Sequence, residues 1–194
     1  MNGLIGDQAL KELMIGNQRY VATQLTHPHQ TAMRRAEVAK GQRPFAIILG
    51  CSDSRVPPEI IFDQGLGDLF VIRVAGNILD EVVVGSIEYA AKHLGVHLIV
   101  VLGHKRCGAV EATVKGGEAP SQIKRVIAAL KPAVEKVRGL SGDLVENVVK
   151  ANIEMVVDCL KSSQPILAKL VEDGKLKIVG GYYDLDTGTV NIIS

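Results

Sequence analysis

The chain has 194 residues, and its 22 Lys and Arg residues balance 21 Asp and Glu residues to give a formal charge of +1. This balance favours neither a nucleic-acid partner nor binding to a membrane surface. The three cysteines disfavour a disulfide framework, and no stretch of about 18 apolar residues predicts a membrane span. Residues 1–7 lack the basic and apolar regions of a signal peptide, so the sequence predicts a cytoplasmic protein.

The first part of the chain alternates between predicted helices and a strand. Asp7 is predicted to be the N-cap of a first helix, whose apolar residues recur at helical spacing. A short basic helix is predicted to end at Gly41, and an apolar strand to follow over 45–50. The pair Pro57-Pro58 suits the first turn of the next helix, because proline needs no amide partner there.

The rest of the chain continues the alternation. Strands are predicted over 70–74, 97–103, 175–184 and 190–193, and helices over 79–94, 108–114 and 120–173, the last interrupted near 139–142 and Pro165. The turn signal Asp186-Thr-Gly188 indicates that the final strand runs antiparallel to the one before it. We therefore predict a single α/β domain over 1–194, with about four parallel strands and a C-terminal antiparallel edge strand, flanked by helices. Residues 1–40 are predicted to form an N-terminal helical arm.

Two strand ends carry the residues that favour a metal site. Cys51 follows the first strand, and His104 and Cys107 follow the strand over 97–103. Ligands of an open parallel sheet collect beyond the carboxyl ends of its strands, so these side chains are expected to meet. Two thiolates and an imidazole suit zinc, and three protein ligands leave a fourth position open. The alternative is that each is an isolated core or capping residue.

Asp53 and Arg55 lie within one turn of Cys51 and indicate a catalytic pair. A carboxylate beside an arginine stays ionised, and an ionised carboxylate can only accept hydrogen bonds. Near a metal, Asp53 would accept the proton of zinc-bound hydroxide. The alternative is a surface ion pair of little energetic consequence.

Other motifs carry no comparable signal. Gly65-Leu-Gly67 does not continue into a dinucleotide-binding fingerprint, and the sequence contains no phosphate-binding loop. Cys159 lies in a predicted helix and is expected to be a small core residue.

The segments 50–56, 73–77 and 103–108, read in that order, resemble the three signature blocks of the β-class carbonic anhydrases. The resemblance implies that Cys51, His104 and Cys107 bind Zn²⁺ and that Asp53 and Arg55 form the catalytic dyad. It further implies a substrate pocket formed by Gln42, Phe70, Ala75 and Tyr89.

The implied activity is that of a carbonate dehydratase: zinc-bound hydroxide reversibly hydrates carbon dioxide to bicarbonate and a proton. The implied assembly is a homodimer or homotetramer in which the arm over 1–40 packs on a partner subunit. Two alternatives stay open at this stage. The same scaffold could hydrolyse carbonyl sulfide or carbon disulfide, or the chain could be a non-catalytic zinc or thiol sensor, which would need a fourth permanent ligand.

Overall fold

The computed structural model describes residues 5–117 and 119–194. Residues 1–4, which belong both to the predicted arm and to the segment compared with signal peptides, lie outside the described residues. The helices are α1 (Gly6–Val21), α2 (Ala32–Val38), α3 (Pro58–Ile61), α4 (Glu81–His93), α5 (Gly108–Lys115), α6 (Ile123–Lys136), α7 (Leu144–Lys161) and α8 (Leu167–Glu172). The strands are β1 (Ala46–Gly50), β2 (Leu69–Arg73), β3 (Leu98–His104), β4 (Lys177–Tyr183) and β5 (Val190–Ile192), and a short 3₁₀ turn covers Ala75–Asn77.

The strands form one sheet in the order β2-β1-β3-β4-β5, in which only the β4–β5 pair is antiparallel. The predicted α/β fold with a mostly parallel sheet is therefore confirmed. Every residue of β1 and β3 is buried, as expected for central parallel strands covered by helices on both faces. Among the described helices, none is long and apolar enough to cross a membrane.

Helix α1 packs against α3 and β3 through one face, which includes the buried residues Ala9 and Leu13. The amide of Asn17 on the same face donates to the carbonyls of Ile61 and Gly188. The prediction that Asp7 caps α1 is wrong, since the helix begins at Gly6 and its N-cap is Ile5, two residues before Asp7. Asp7 instead lies in the first turn, where a carboxylate still interacts favourably with the helix dipole.

Helix α7 lies directly over the sheet and shows why a second prediction fails. Its buried stripe contains Ile153, Val156, Val157 and Leu160, at the spacing of a single helix face. Cys159 falls outside that stripe and is exposed, so it is not the core residue that the sequence predicts. The apolar character of the segment is real, but the rotation of the helix against the sheet decides which residues are buried.

Candidate metal centre

The three predicted metal ligands meet at the carboxyl edge of the sheet. Cys51 follows β1, and His104 ends β3, the parallel neighbour of β1. Cys107 occupies the N-cap position of α5, and Arg106 before it adopts a left-handed conformation with φ of 52° that turns the chain back. The ligand atoms of Cys51, His104 and Cys107 all lie within 4.8 Å of one another, and all three residues are buried.

The two thiol groups are close enough to share a proton. Their sulfur atoms are 4.0 Å apart, and this contact lowers the pKa of Cys51 while it raises that of Cys107, which burial raises further. A divalent cation between them would replace the shared proton and stabilise both sulfurs as thiolates. Two sulfurs bound to a tetrahedral zinc ion at about 2.3 Å are about 3.8 Å apart, so the observed separation fits zinc.

His104 is oriented as a metal ligand. Its Nδ1 lies 2.9 Å from the carbonyl oxygen of Lys105, and because a carbonyl can only accept, Nδ1 carries the proton. Nε2 then has a free lone pair, and among the described residues this buried nitrogen has no hydrogen-bond partner. A metal-bound histidine commonly has its other ring nitrogen fixed in this way, so the orphaned Nε2 supports a bound cation.

A backbone amide and an arginine side chain, whose contacts the sequence does not reveal, hold Cys51 in place. The amide of Gly76, in the 3₁₀ turn, donates to the Cys51 sulfur at 3.3 Å. Arg73, at the end of β2, donates through Nε to the carbonyl of Cys51 at 2.9 Å and through Nη2 to the carbonyl of Asp53 at 2.6 Å. The strand register, which pairs Gly50 with Arg73, brings these groups together, and residue spacing does not reveal that register.

Asp53 and Arg55 form the pair expected from the sequence. Arg55 donates from Nε to Oδ1 at 2.9 Å and from Nη2 to Oδ2 at 2.7 Å, and its own amide also reaches Oδ1. These hydrogen bonds lower the pKa of Asp53 to about 2. Arg55 is itself anchored by the carbonyl of Arg106 at 3.1 Å, so the pair is tied to the turn that carries Cys107.

The Asp53 carboxylate faces the metal ligands without joining them. Its Oδ2 is 3.9 Å from Nε2 of His104, beyond hydrogen-bond distance. Arg55 binds both oxygens of this carboxylate. The cluster therefore consists of three ligands with a charged acceptor beside them.

The four residues of the implied substrate pocket are not gathered at one point. Ala75 lies next to Gly76 and so close to Cys51, while the rings of Phe70 and Tyr89 pack against each other with centroids 6.4 Å apart. Gln42 precedes β1 and lines a cavity beside α2, whereas Cys51 follows β1. Since β1 is five residues long, Gln42 lies toward the opposite end of a strand about 16 Å in length.

The comparisons with known proteins agree with this site. The carbonic anhydrase family profile matches residues 46–190. The chain is 44% identical over 184 residues to carbonic anhydrase 2 of Mycobacterium tuberculosis, covering 93% of this chain and 89% of that protein. It is 43% identical over 190 residues to a carbonic anhydrase of Mycolicibacterium smegmatis, covering 96% of this chain and 92% of the relative.

Solved structures show the same fold. One of two tetrameric β-carbonic anhydrases from Sordaria macrospora matches with a TM-score of 0.78 and 25% identity, over 95% of this chain and 96% of that one. The β-carbonic anhydrase CcaA matches with a TM-score of 0.77 and 29% identity, over 95% of both chains. With its cysteine–histidine–cysteine cluster fitting zinc, this chain belongs to the carbonic anhydrase family and to its β class.

Proposed function

We propose that this protein catalyses the reversible hydration of carbon dioxide to bicarbonate and a proton, with zinc held by Cys51, His104 and Cys107. The observation that carries the proposal is the buried set of three ligand atoms with an ionised carboxylate beside it. When bound there, zinc supplies a Lewis acid that makes a hydroxide nucleophile available near neutral pH.

Asp53 orients the nucleophile in this proposal. Its carboxylate is ionised, so it can accept a hydrogen bond from an O–H group but cannot donate one. An O–H bond directed at Asp53 leaves the oxygen lone pair to face carbon dioxide. Arg55 fixes the carboxylate through two parallel hydrogen bonds. This geometry restricts the rotation of the carboxylate and also keeps it ionised.

The position of Asp53 also argues against a non-catalytic zinc sensor. Such a site needs a fourth permanent ligand, and Asp53 is the carboxylate that faces His104 among the described residues. Arg55 binds both carboxylate oxygens, so moving Asp53 onto the metal would break a bidentate ion pair. The arrangement favours a fourth position open to substrate and solvent.

A second copy of the chain would complete the substrate pocket. We assign Gln42, Phe70, Ala75 and Tyr89 to that pocket, although Gln42 lies toward the far end of β1 from Cys51 in one chain. Tyr89 is 49% exposed, and Val82 two helical turns earlier on α4 is exposed too. A homodimer or homotetramer would cover this apolar face, and the similar S. macrospora enzymes are tetrameric. Light scattering that showed only an active monomer would contradict this assembly.

The arm would contribute to the same assembly. Helix α1 buries one face on its own chain, while Ile5, Ile15 and Val21 are exposed. In the proposed assembly these residues pack on the partner subunit. The arm and the sheet together form a single domain over 1–194. Three free cysteines, two of them proposed as zinc-binding thiolates, suit a reducing cytoplasmic compartment.

The test is stopped-flow measurement of carbon dioxide hydration on protein whose zinc content has been determined. His104→Ala should lose both zinc and activity, because it removes a buried ligand atom that no neighbour replaces. His97→Ala is the matched control, since His97 lies just before the same strand and bonds the Lys175 carbonyl instead. Full zinc retention and activity in His104→Ala would contradict the proposal. Faster hydrolysis of carbonyl sulfide or carbon disulfide than hydration of carbon dioxide would reassign the substrate.

A further inference from the structure

A buried amide on α7 is linked to the zinc site through a single glycine. Asn152 is 5% exposed, and its Nδ2 donates to the carbonyl oxygen of Gly76 at 3.0 Å. The amide nitrogen of Gly76 in turn donates to the Cys51 sulfur at 3.3 Å. Two hydrogen bonds therefore connect a helix side chain, outside the ligand set, to a metal-binding sulfur.

The position of Asn152 is fixed by the close packing of α7 on the sheet. A β-carbon added to Gly103 or Gly180 would lie 2.6 Å or 2.5 Å from the neighbouring side chain of Ile153. Only glycine permits that approach in β3 and β4. Ile153 follows Asn152 directly in α7. The packing of Ile153 on the two glycines therefore also sets the distance from Asn152 to Gly76.

The turn that holds Gly76 needs such an anchor. Gly76 has φ of 70° and Asn77 has φ of 41°, and this left-handed conformation favours glycine and, to a smaller degree, asparagine. A β-carbon on Gly76 would also lie 3.1 Å from Leu130 and 3.3 Å from Ala109, so the site has little room for any other residue. The Gly76 carbonyl belongs to the peptide that follows Gly76, and the Gly76 amide to the peptide that precedes it. Holding the carbonyl fixes one side of this tight turn and so limits how far the amide on the other side can move.

We propose that Asn152 is a positioning residue that aims the Gly76 amide at the Cys51 sulfur and so tunes how strongly this thiolate donates to zinc. A hydrogen bond to a thiolate withdraws electron density from the sulfur, which leaves more positive charge on the metal. Asn152 lies outside the ligand set, and it acts through the backbone of Gly76. The inference rests on the zinc site of the proposed function.

The competing explanation is that Asn152 only satisfies a buried carbonyl. A purely structural role would lower thermal stability when the amide is removed, but it would leave the electronic properties of the metal–sulfur bond unchanged. The test must therefore report on that bond and not on activity alone.

The experiment replaces zinc by cobalt(II) in the assembled protein and measures the sulfur-to-cobalt charge-transfer absorption. Asn152→Leu keeps a similar size but has no donor, and Asn152→Ser shortens the side chain. Without the Gly76 hydrogen bond the sulfur gives up electron density more readily, so both should shift the absorption to longer wavelength. Because Cys51 is then no longer held in place, both should also weaken zinc binding, measured by chelator competition, by about 10-fold or more. Asn147→Leu is the control, because the Asn147 amide on the same helix binds the exposed Ser141 carbonyl.

Unchanged absorption and unchanged zinc affinity in both Asn152 variants would overturn the inference while leaving the proposed function intact. A wild-type protein that bound no zinc would overturn both. If neither variant folds, isotopically labelled wild-type protein with cadmium at the site tests the Gly76–Cys51 hydrogen bond on which the inference depends. A scalar coupling between the cadmium nucleus and the Gly76 amide proton is expected through the hydrogen bond to sulfur, and its absence would overturn the inference.

Discussion

Two aspartates in different parts of the molecule have the same acidity for different reasons. The hydrogen bond from Arg55 lowers the pKa of Asp53, at the metal site, to about 2. Burial would raise the pKa of Asp63, under the N-terminal arm, but hydrogen bonds from Thr26 and Arg19 lower it to about 2 as well. A lowered pKa beside an arginine therefore does not by itself distinguish a catalytic carboxylate from a structural one.

The difference lies in the acceptor capacity that each carboxylate has left. Asp63 is 1% exposed and accepts from Arg19, from the amide and hydroxyl of Thr26 and from the amide of His27. The side chain of Asp53 is 17% exposed, and its Oδ2 accepts one hydrogen bond, from Arg55, and also faces the ligand cluster. An ionised group with spare acceptor capacity directed at a cluster of ligands indicates function more specifically than its pKa does.

The largest expected effect comes from removing the charge of Asp53, the aspartate to which we assign a role in catalysis. Asp53→Asn should keep zinc, because Asp53 is not a ligand, but should lose activity by a factor on the order of 10² or more. An amide can donate a hydrogen bond, so the nucleophile is no longer forced to direct its proton at residue 53. Stopped-flow hydration rates per bound zinc provide the measurement. Full activity with full zinc would mean that Asp53 and Arg55 are only a surface ion pair.

The same substitution at the structural aspartate should have the opposite profile. Asp63→Asn replaces a saturated, buried carboxylate with an amide whose nitrogen cannot accept from Thr26 or Arg19. The expected loss in the free energy of unfolding is about 2 kcal/mol, with activity per bound zinc unchanged. Urea denaturation measures the loss, and Asp158→Asn, at an exposed position on α7, is the matched control. Reduced activity without reduced stability would contradict the distinction between the two aspartates.

Acid should remove the contribution of Asp63 to the free energy of unfolding within a defined pH range. Its folded pKa of about 2 lies below the reference value of about 3.9, so the folded state binds fewer protons than the unfolded state between these values. The stabilisation is therefore complete above about pH 5 and decreases as the pH falls toward about 2. The difference in unfolding free energy between wild type and Asp63→Asn should shrink across that range. A constant difference would show that the Asp63 charge does not contribute.

Sequence reasoning located the ligand cluster and the Asp53–Arg55 ion pair because they are local in the chain or follow from strand order. Cys51, Asp53 and Arg55 lie within five residues of one another, and apolar runs place Cys51 and His104 at neighbouring strand ends. The α/β fold followed from the same runs, because parallel strands covered on both faces are continuously apolar.

The contacts that support the site depend on register and helix rotation, which the sequence does not display. Arg73 reaches the Cys51 carbonyl because β2 pairs with β1 in one register. Asn152 reaches Gly76 because α7 is rotated with that side inward, and the same rotation exposes Cys159. The N-cap at Ile5 carries no side-chain capping bond, so no residue type signalled it.

The smallest expected effect concerns a third aspartate with the same acidity. Asp186, in the turn between β4 and β5, pairs with Arg106 and Lys105, and these bonds lower its pKa to about 2. Its side chain is 50% exposed, however, so solvent and salt screen both charges. Asp186→Asn should leave zinc content and the activity of the enzyme unchanged within error, and should change the unfolding midpoint only slightly.

This last substitution separates the influence of charge from that of position. Arg106 and Lys105 lie between the ligands His104 and Cys107 in the chain. Asp186 therefore contacts residues next to the metal ligands, whereas Asp63 binds residues of the N-terminal segment. If proximity to the site decided function, Asp186→Asn would impair zinc binding. If spare acceptor capacity facing the ligands decides it, only Asp53→Asn lowers activity. Zinc analysis and hydration rates of the two variants, measured side by side, discriminate between these outcomes.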